Sequence, residues 1–216
     1  MNAEEILPIL LLQLRNNFAL TDEEARIISQ FQICGRGYGC AVECFEKSTC
    51  KYFQKENGLN PFNSVMYTNY LYQVGHILYK DGYSQIADKV YYLNKMVNAV
   101  DLFYAIELPE HWNCEHPLGS VMGRARYGDY FFFYQGCTVG GNHENYPVLG
   151  NHVTMYSNSK VLGNSHIGNN VIIGANAYVK DTAIPNNSVV FGQFPNLIIK
   201  PNTFKDNKWL KRIVES

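Results

Sequence analysis

From residue 149 onward an aliphatic residue returns every six positions: Leu149, Met155, Val161, Ile167, Ile173 and Val179. Four residues after each stands a small or β-branched partner, expected also to turn inward near the corner: Val153, Ser159, Ser165, Val171, Ala177 and Ala183. A helix repeats near 3.6 and a half-buried strand near 2, so neither accommodates a period of six. A hexapeptide period instead marks a parallel β-helix. Three hexapeptides make one triangular coil, so residues 18 apart stack in columns: Leu149 under Ile167, Met155 under Ile173, Val161 under Val179. Gly150, Gly168 and Gly174 fall where a corner has little room for a Cβ. Asn151, Asn158, Asn164, Asn169, Asn170 and Asn176 suit corners because Asn tolerates the left-handed region. The spacing extends backwards through Val121, Tyr127, Phe133 and Val139, and then the step from Val139 to Leu149 is ten. Residues 142–147 are therefore expected to loop out of the coil, towards His116.

Residues 1–100 have helical periodicity and predict a cap, residues 101–201 the β-helix, and residues 202–216 a short helical tail. Ile6, Leu10, Leu11 and Leu14 form one apolar face, and Thr21-Asp22-Glu23-Glu24 is a helix start. Asn60-Pro61 opens a long helix containing His76, expected to pack inside it. Asp81-Gly82 is a turn, and Ile86–Val97 is again amphipathic. A helical cap would cover the strand edges that an open β-helix exposes. Gly35-Arg36-Gly37-Tyr38-Gly39 lacks the preceding strand of a phosphate loop and is taken as a turn between helices.

The net charge of −1 over 216 residues gives no nucleic-acid footprint. No apolar run is long enough to span a bilayer, and the acidic Glu4-Glu5 before Ile6–Leu14 argues against a signal peptide. A cytoplasmic setting suits the cysteines, six without a CxxC pair. The group Cys34, Cys40, Cys44 and Cys50 is taken as reduced thiols rather than a metal site.

A β-helix fills its own interior, so chemistry must lie on an outer face, in a groove shared with a neighbouring copy. Here the chain resembles the serine acetyltransferases of the hexapeptide-repeat acyltransferase superfamily. The residues carrying the resemblance are Asp101 fifteen positions before His116, with acidic Glu115 ahead of it; Cys137-Thr138-Val139-Gly140-Gly141; the loop ending Tyr146-Pro147; and Gly75-His76. The similarity covers roughly residues 62–201. It implies an N-terminal α-helical domain followed by a left-handed parallel β-helix. It also implies acetyl transfer from acetyl-CoA to a small hydroxyl acceptor, foremost L-serine, with no metal. His116 would be the base, assisted by Asp101 and Glu115, since histidine as a residue type titrates near neutrality. Gly141 would offer an N–H to the oxyanion. Gly140, Gly141, Ser157 and Ala175 would line the cofactor groove, and Asn145, Tyr146, Arg124 and His143 the acceptor side. The assembly implied is a homotrimer or a dimer of trimers.

Departures from the family pattern bear on the acceptor. Asn145-Tyr146 replaces the usual Arg-His, removing a bidentate partner for a carboxylate, although Arg124 or Arg126 could supply that charge. Ile172 stands where the family has a lysine near the coenzyme A tail, and the C-terminal docking isoleucine has no counterpart in Val214-Glu215-Ser216. Trp112, Tyr127 and Tyr146 offer surfaces for a sugar ring, so a sugar or nucleotide-sugar acceptor (O- or N-acetylation) is the alternative. A zinc hydratase of the γ-carbonic-anhydrase type, using His111 and His116, is a third reading.

Overall fold

The computed structural model describes residues 1–49, 58–204 and 208–209. Cys50 and most of the expected tail helix lie outside these; the described tail residues 202–204 and 208–209 are not helical, and Trp209 forms an antiparallel bridge with Ser48. Among the described residues five α-helices precede the strands. Helices α1 (Ala3–Asn17) and α2 (Asp22–Ile28) each begin with a capping box, at Asn2/Glu5 and Thr21/Glu24, which satisfies N–H groups that the first turn leaves unpaired. Ile6, Leu10 and Leu14 are fully buried on one stripe of α1. A π-helical turn, Phe31–Gly35, runs directly into α3 (Arg36–Glu46), so the glycine-rich stretch is helix and not the expected turn. Packing explains it: a Cβ on Gly37 would lie 2.7 Å from Val74 Cγ2, so the glycine lets α3 approach its neighbour closely.

That neighbour is α4 (Ser64–Lys80), which begins three residues after Asn60-Pro61, at the Asn63 cap. It is buried on nearly every side and forms the axis of the helical region. Helix α5 (Ser84–Asn98) packs along it after a turn at Asp81-Gly82, where Gly82 has φ +88°. His76 stays inside α4, its Nδ1 2.7 Å from the Tyr104 carbonyl and its ring stacked on Tyr72. No helix among the described residues is long and apolar enough to cross a membrane.

The remaining chain winds into a parallel β-helix of about five coils with three faces. The first face stacks β1 (Asp101–Leu102), β3 (Val121–Met122), β6 (Thr138–Gly140), β9 (Lys160–Leu162) and β12 (Tyr178–Lys180). The second stacks β2 (Trp112–Cys114), β5 (Phe131–Phe133), β8 (Thr154–Met155), β11 (Ile172–Ile173) and β14 (Ser188–Gln193). The third stacks β4 (Arg126–Tyr127), β7 (Val148–Leu149), β10 (His166–Ile167) and β13 (Ala183–Ile184). The chain visits first, third and second faces in turn. At the far end, β15 (Asn196–Pro201) folds back antiparallel on β14.

The columns are those the period requires. Leu149 pairs with Ile167, Met155 with Ile173 and Val161 with Val179. Tyr127, Phe133 and Val139 continue them across the ejected loop. Two positions depart from expectation. Val121 is 39% exposed while Met122 is buried and pairs with Val139. Ala183 faces outward and Ile184 pairs with Ile167. In both places a coil has 17 residues rather than 18, and one missing residue reverses which side chain points inward.

The asparagine-rich corners divide into two jobs. Asn158, Asn170 and Asn176 take the left-handed conformation, with φ of 61°, 54° and 60°. Asn151 and Asn169 instead act as acceptors in a ladder: the N–H of Asp129 donates to Asn151 Oδ1, that of Asn151 to Asn169 Oδ1, and that of Asn169 to Asn186 Oδ1, each at 2.8 Å. Beside the ladder the coils nearly touch. A Cβ on Gly150 would lie 2.6 Å from Asn169 Oδ1 and 2.7 Å from the Gly168 carbonyl carbon. One hydrophobic cluster runs without a break from Ile6 in α1 to Val190 in β14, and the segment between β1 and β2 joins it through Tyr104 and Ile106. Gly150→Ala should therefore lower stability by about 1–3 kcal/mol, read as a lower urea midpoint at an unchanged m-value; a wild-type midpoint would show that the corners have slack.

Candidate functional site

His116 sits at the corner leading from the second face to the first. Six residues, 115–120, separate β2 from β3, where four, 134–137, separate β5 from β6. The surplus makes a bulge on which His116 is exposed, in the left-handed region at φ 50°. The same conformation recurs at other corners, as at Tyr130, His152 and Asn158, so it marks His116 as a corner residue. No hydrogen bond or ion pair engages the His116 ring among the described residues. Glu115 beside it is half-buried, donates its N–H to the Phe133 carbonyl at 3.0 Å, and has its carboxylate near the Tyr134 hydroxyl. Burial pushes that hydroxyl up to about 12, with Lys208 opposing and Glu115 adding.

The His116 bulge is tied to the backbone around Asp101. Gly119 N–H donates to the Ala99 carbonyl at 2.8 Å, and Asp101 N–H to the Ser120 carbonyl at 2.9 Å. The fold thus makes the two segments neighbours, but the Asp101 carboxylate is turned to α5. Its Oδ1 accepts from the Tyr91 hydroxyl at 2.7 Å and its Oδ2 from Lys95 Nζ at 2.9 Å. The bond to Asp101 raises the Lys95 ammonium above its ordinary value. Burial first, and then the same carboxylate, raises the Tyr91 hydroxyl. Asp101 and His116 are not hydrogen-bonded within one chain.

The ejected loop leaves from a different corner, between the first and third faces. It is a two-residue hairpin: Asn142 and Asn145 exchange backbone hydrogen bonds at 2.9 and 3.0 Å, and His143 and Glu144 have φ of 48° and 63°. Positive φ at both central residues matches a type I′ turn. His143, Asn145 and Tyr146 are all exposed. The Tyr146 ring lies over Gly141, where a Cβ would come within 2.5 Å of Tyr146 Cδ1. Gly141 is itself exposed, and among the described residues nothing takes up its N–H. Arg124 and Arg126 stand exposed beside this loop, one coil away, with Arg126 N–H donating to the Pro147 carbonyl at 2.9 Å. The loop therefore does not face His116 of its own chain, because the two project from separate edges of the triangle.

Along the edge that carries His116, further down the stack, lies a cavity of about 240 Å³ lined by Tyr156, Ile172, Gly174, Ala175, Val189 and Phe191, with Phe204 closing it. Ser157 adjoins it, accepting from the Asn176 N–H at 2.9 Å. The wall is apolar, and Ile172 is part of it. Sequence reasoning did not single out Phe191 or Phe204, whose place depends on the terminal hairpin of β14 and β15.

The remaining histidines and cysteines sort by burial. His111 is buried and bonded to Asp129, and His152 stacks on Tyr130 at 4.6 Å. His166 is exposed on the third face. Cys34, Cys44, Cys114 and Cys137 are buried free thiols; Cys40 is free and exposed. Burial raises every one of them, Cys44 to about 11, and disfavours the reactive thiolate. Among the described residues, the one group of three possible metal ligands contains His111 but neither His116 nor a cysteine.

The geometry predicts coupling in the loop. Gly141→Ala should distort it by displacing Tyr146, and the cost should fall when Tyr146 is Ala. A double-mutant cycle on thermal stability is expected to give a coupling energy of about 0.5 kcal/mol or more; additivity would mean that the Tyr146 ring does not rest there.

Comparison with known proteins places the chain. The pattern for "Bacterial transferase hexapeptide (six repeats)" matches residues 146–181. Serine acetyltransferase from Synechococcus elongatus is 33% identical over 126 residues, covering 56% of this chain and 51% of its own length. The Helicobacter pylori serine acetyltransferase (strain ATCC 700392 / 26695) is 30% identical over 134 residues, covering 60% of this chain and 78% of its own. The chain thus spans about half the length of the first of these relatives. The crystal structure of a Brucella abortus serine acetyltransferase in complex with coenzyme A superposes with a TM-score of 0.63 at 19% identity, over 79% of this chain and 68% of that one. Repeat, corner and helical cap together agree with these likenesses, and the chain belongs to the serine acetyltransferase family of hexapeptide-repeat transferases.

Proposed function

We propose that the chain transfers an acetyl group from acetyl-CoA to the hydroxyl of a small acceptor carrying a carboxylate, foremost L-serine. The observation that carries this reading is the alignment of the exposed His116 with the apolar cavity along one edge of the β-helix. Three coil steps separate the coil of Ala175 from that of His116, about 14 Å at the strand spacing. An extended pantetheine arm, held near Ser157 and Ala175, would present its thioester at the histidine. A coenzyme A complex of a structural relative supports that cofactor.

In this reading His116 accepts the hydroxyl proton as the oxygen attacks the thioester carbonyl, then returns it to the departing thiolate. The unpaired Gly141 N–H, reached in a trimer through a neighbouring copy, stabilises the oxyanion, a donor type whose loss costs about 2.7–4 kcal/mol. Asp101 supplies negative charge favouring the imidazolium, and a direct bond to His116 requires it to release Lys95. Glu115 assists at the bulge.

The separation of His116 from the loop at two corners argues for a shared site. If the loop corner of one copy packs against the His116 corner of the next, the contact is head-to-tail, and a head-to-tail contact that closes makes a ring. Arg124 and Arg126 then arrive with the loop and supply the charge for a carboxylate that Asn145 and Tyr146 lack. One observation favours a sugar acceptor as the second reading: Tyr146 is 41% exposed over Gly141 and offers a flat ring to a pyranose.

Thiol release from acetyl-CoA with serine and a panel of sugars separates these. His116→Ala is expected to lower kcat by about 10²–10⁴-fold. Ala175→Trp should raise KM for acetyl-CoA, and Arg124→Gln with Arg126→Gln should raise KM for serine alone. Equal thiol release by wild type and His116→Ala with every acceptor would remove His116 as the base. Stimulation by sugars and not by serine would move the acceptor to the second reading.

A further inference from the structure

Away from that edge, α3 and the segment entering β2 bring Glu43, Glu110 and His111 together, with one ligand atom from each within 4.8 Å of the others. The two glutamates are exposed, but His111 is only 7% exposed. Its Nδ1 lies 2.9 Å from Asp129 Oδ2 and 3.1 Å from Oδ1, and its backbone N–H donates to Oδ1 at 2.9 Å. A carboxylate only accepts, so Nδ1 donates to Asp129, and Nε2 is the nitrogen left to meet a ligand. Tyr130 stacks on the ring at 4.8 Å and 6°, and the Asn151 ladder holds Asp129. The imidazole is therefore fixed in tautomer and in orientation.

Among the described residues its buried Nε2 has no hydrogen-bond partner, and it looks towards Glu43 Oε1 at 4.0 Å. That distance is too long for a hydrogen bond. A buried ring nitrogen left without a partner beside carboxylates is unfavourable, and a cation placed among the three relieves it. Other charges stand nearby: Lys47, at the C-cap of α3, lies 3.7 Å from the same Glu43 oxygen, and the Cys40 thiol stands in the field of Arg36 and of both glutamates.

We propose that Glu43, Glu110 and His111 bind a divalent transition-metal ion, with Zn²⁺ the best match. One imidazole with two carboxylates is a zinc-type donor set, and three protein ligands leave one position for water. A histidine whose second nitrogen bonds a carboxylate is the usual support for a metal-bound imidazole. Because Glu43 belongs to the helical region and Glu110 and His111 to the first coil, the ion would clasp one to the other. This assignment is independent of the acetyl-transfer reading, and its test needs no activity.

The full chain, stripped with EDTA and dialysed, would be titrated with ZnCl₂ by calorimetry and by thermal unfolding, with MgCl₂ in parallel. One Zn²⁺ per chain is expected, with Tm rising by about 5–10 °C at a hundredfold excess over Kd. Glu43→Gln and Glu110→Gln, both at exposed positions, should keep the zinc-free Tm and lose the shift. Asp129→Asn should weaken zinc binding about 10–100-fold, and Cys40→Ser should leave it unchanged. Zinc binding that survives both glutamate variants, that disappears in Cys40→Ser, or that Mg²⁺ reproduces at equal concentration would overturn the assignment.

Discussion

Every coil of this protein must lie one strand spacing, about 4.8 Å, above the last, and the rest of the structure follows from that requirement. At such a distance a corner has no room for an arbitrary side chain. The column Gly128, Gly150 and Gly168 exists because a Cβ at any of them would fall within 3 Å of atoms in the next coil. The corner N–H groups need acceptors at the same spacing, and the Asn151, Asn169 and Asn186 side chains supply them in series. Inside, the spacing leaves one aliphatic layer per coil. The β-helix is consequently rigid and filled, and what it can vary is the length of a corner.

Both functional features of the proposed enzyme are corner-length changes. Two surplus residues lift His116 out of line, and four surplus residues eject the hairpin at Asn142–Asn145. An insertion at a corner leaves the columns on either side in register, as the pairings of Tyr127 with Leu149 and Val139 with Val161 demonstrate. New groups can thus be presented without disturbing the core. The two insertions occupy different edges, which is why, within a single chain, the proposed base His116 and the proposed oxyanion donor Gly141 do not meet.

Much of the fold was legible in the residues. The six-residue period places Leu149 to Val179 inward, and every one of them is buried. The capping box at Thr21 and the turn at Gly82 were readable because their chemistry is local. Val121 and Ala183 were misread for an equally definite reason: one residue is missing from each coil, and spacing counted forward from a neighbour does not reveal where a deletion falls. The glycines of residues 35–39 suggested a turn, but Gly37 serves a helix crossing with Val74 that lies far away in sequence.

The sequence by itself determined the scaffold and the place of the ejected loop, because a repeat is a local signal renewed at every coil; the candidate roles of His116, Asp101 and Gly141 came from the family resemblance. Only the tertiary structure decided what faces what. It turned the Asp101 carboxylate to Lys95 and Tyr91, set the loop and His116 on separate edges, and lined the cavity beside Ala175 with Phe191 of β14 and Phe204. It also brought Glu43 of α3 to Glu110 and His111, in a chain for which the sequence reading expected no metal. The contact of Glu43 with Glu110 and His111 joins segments tens of residues apart, and no periodicity records it, since it arises from the packing of the helical cap on the first coil.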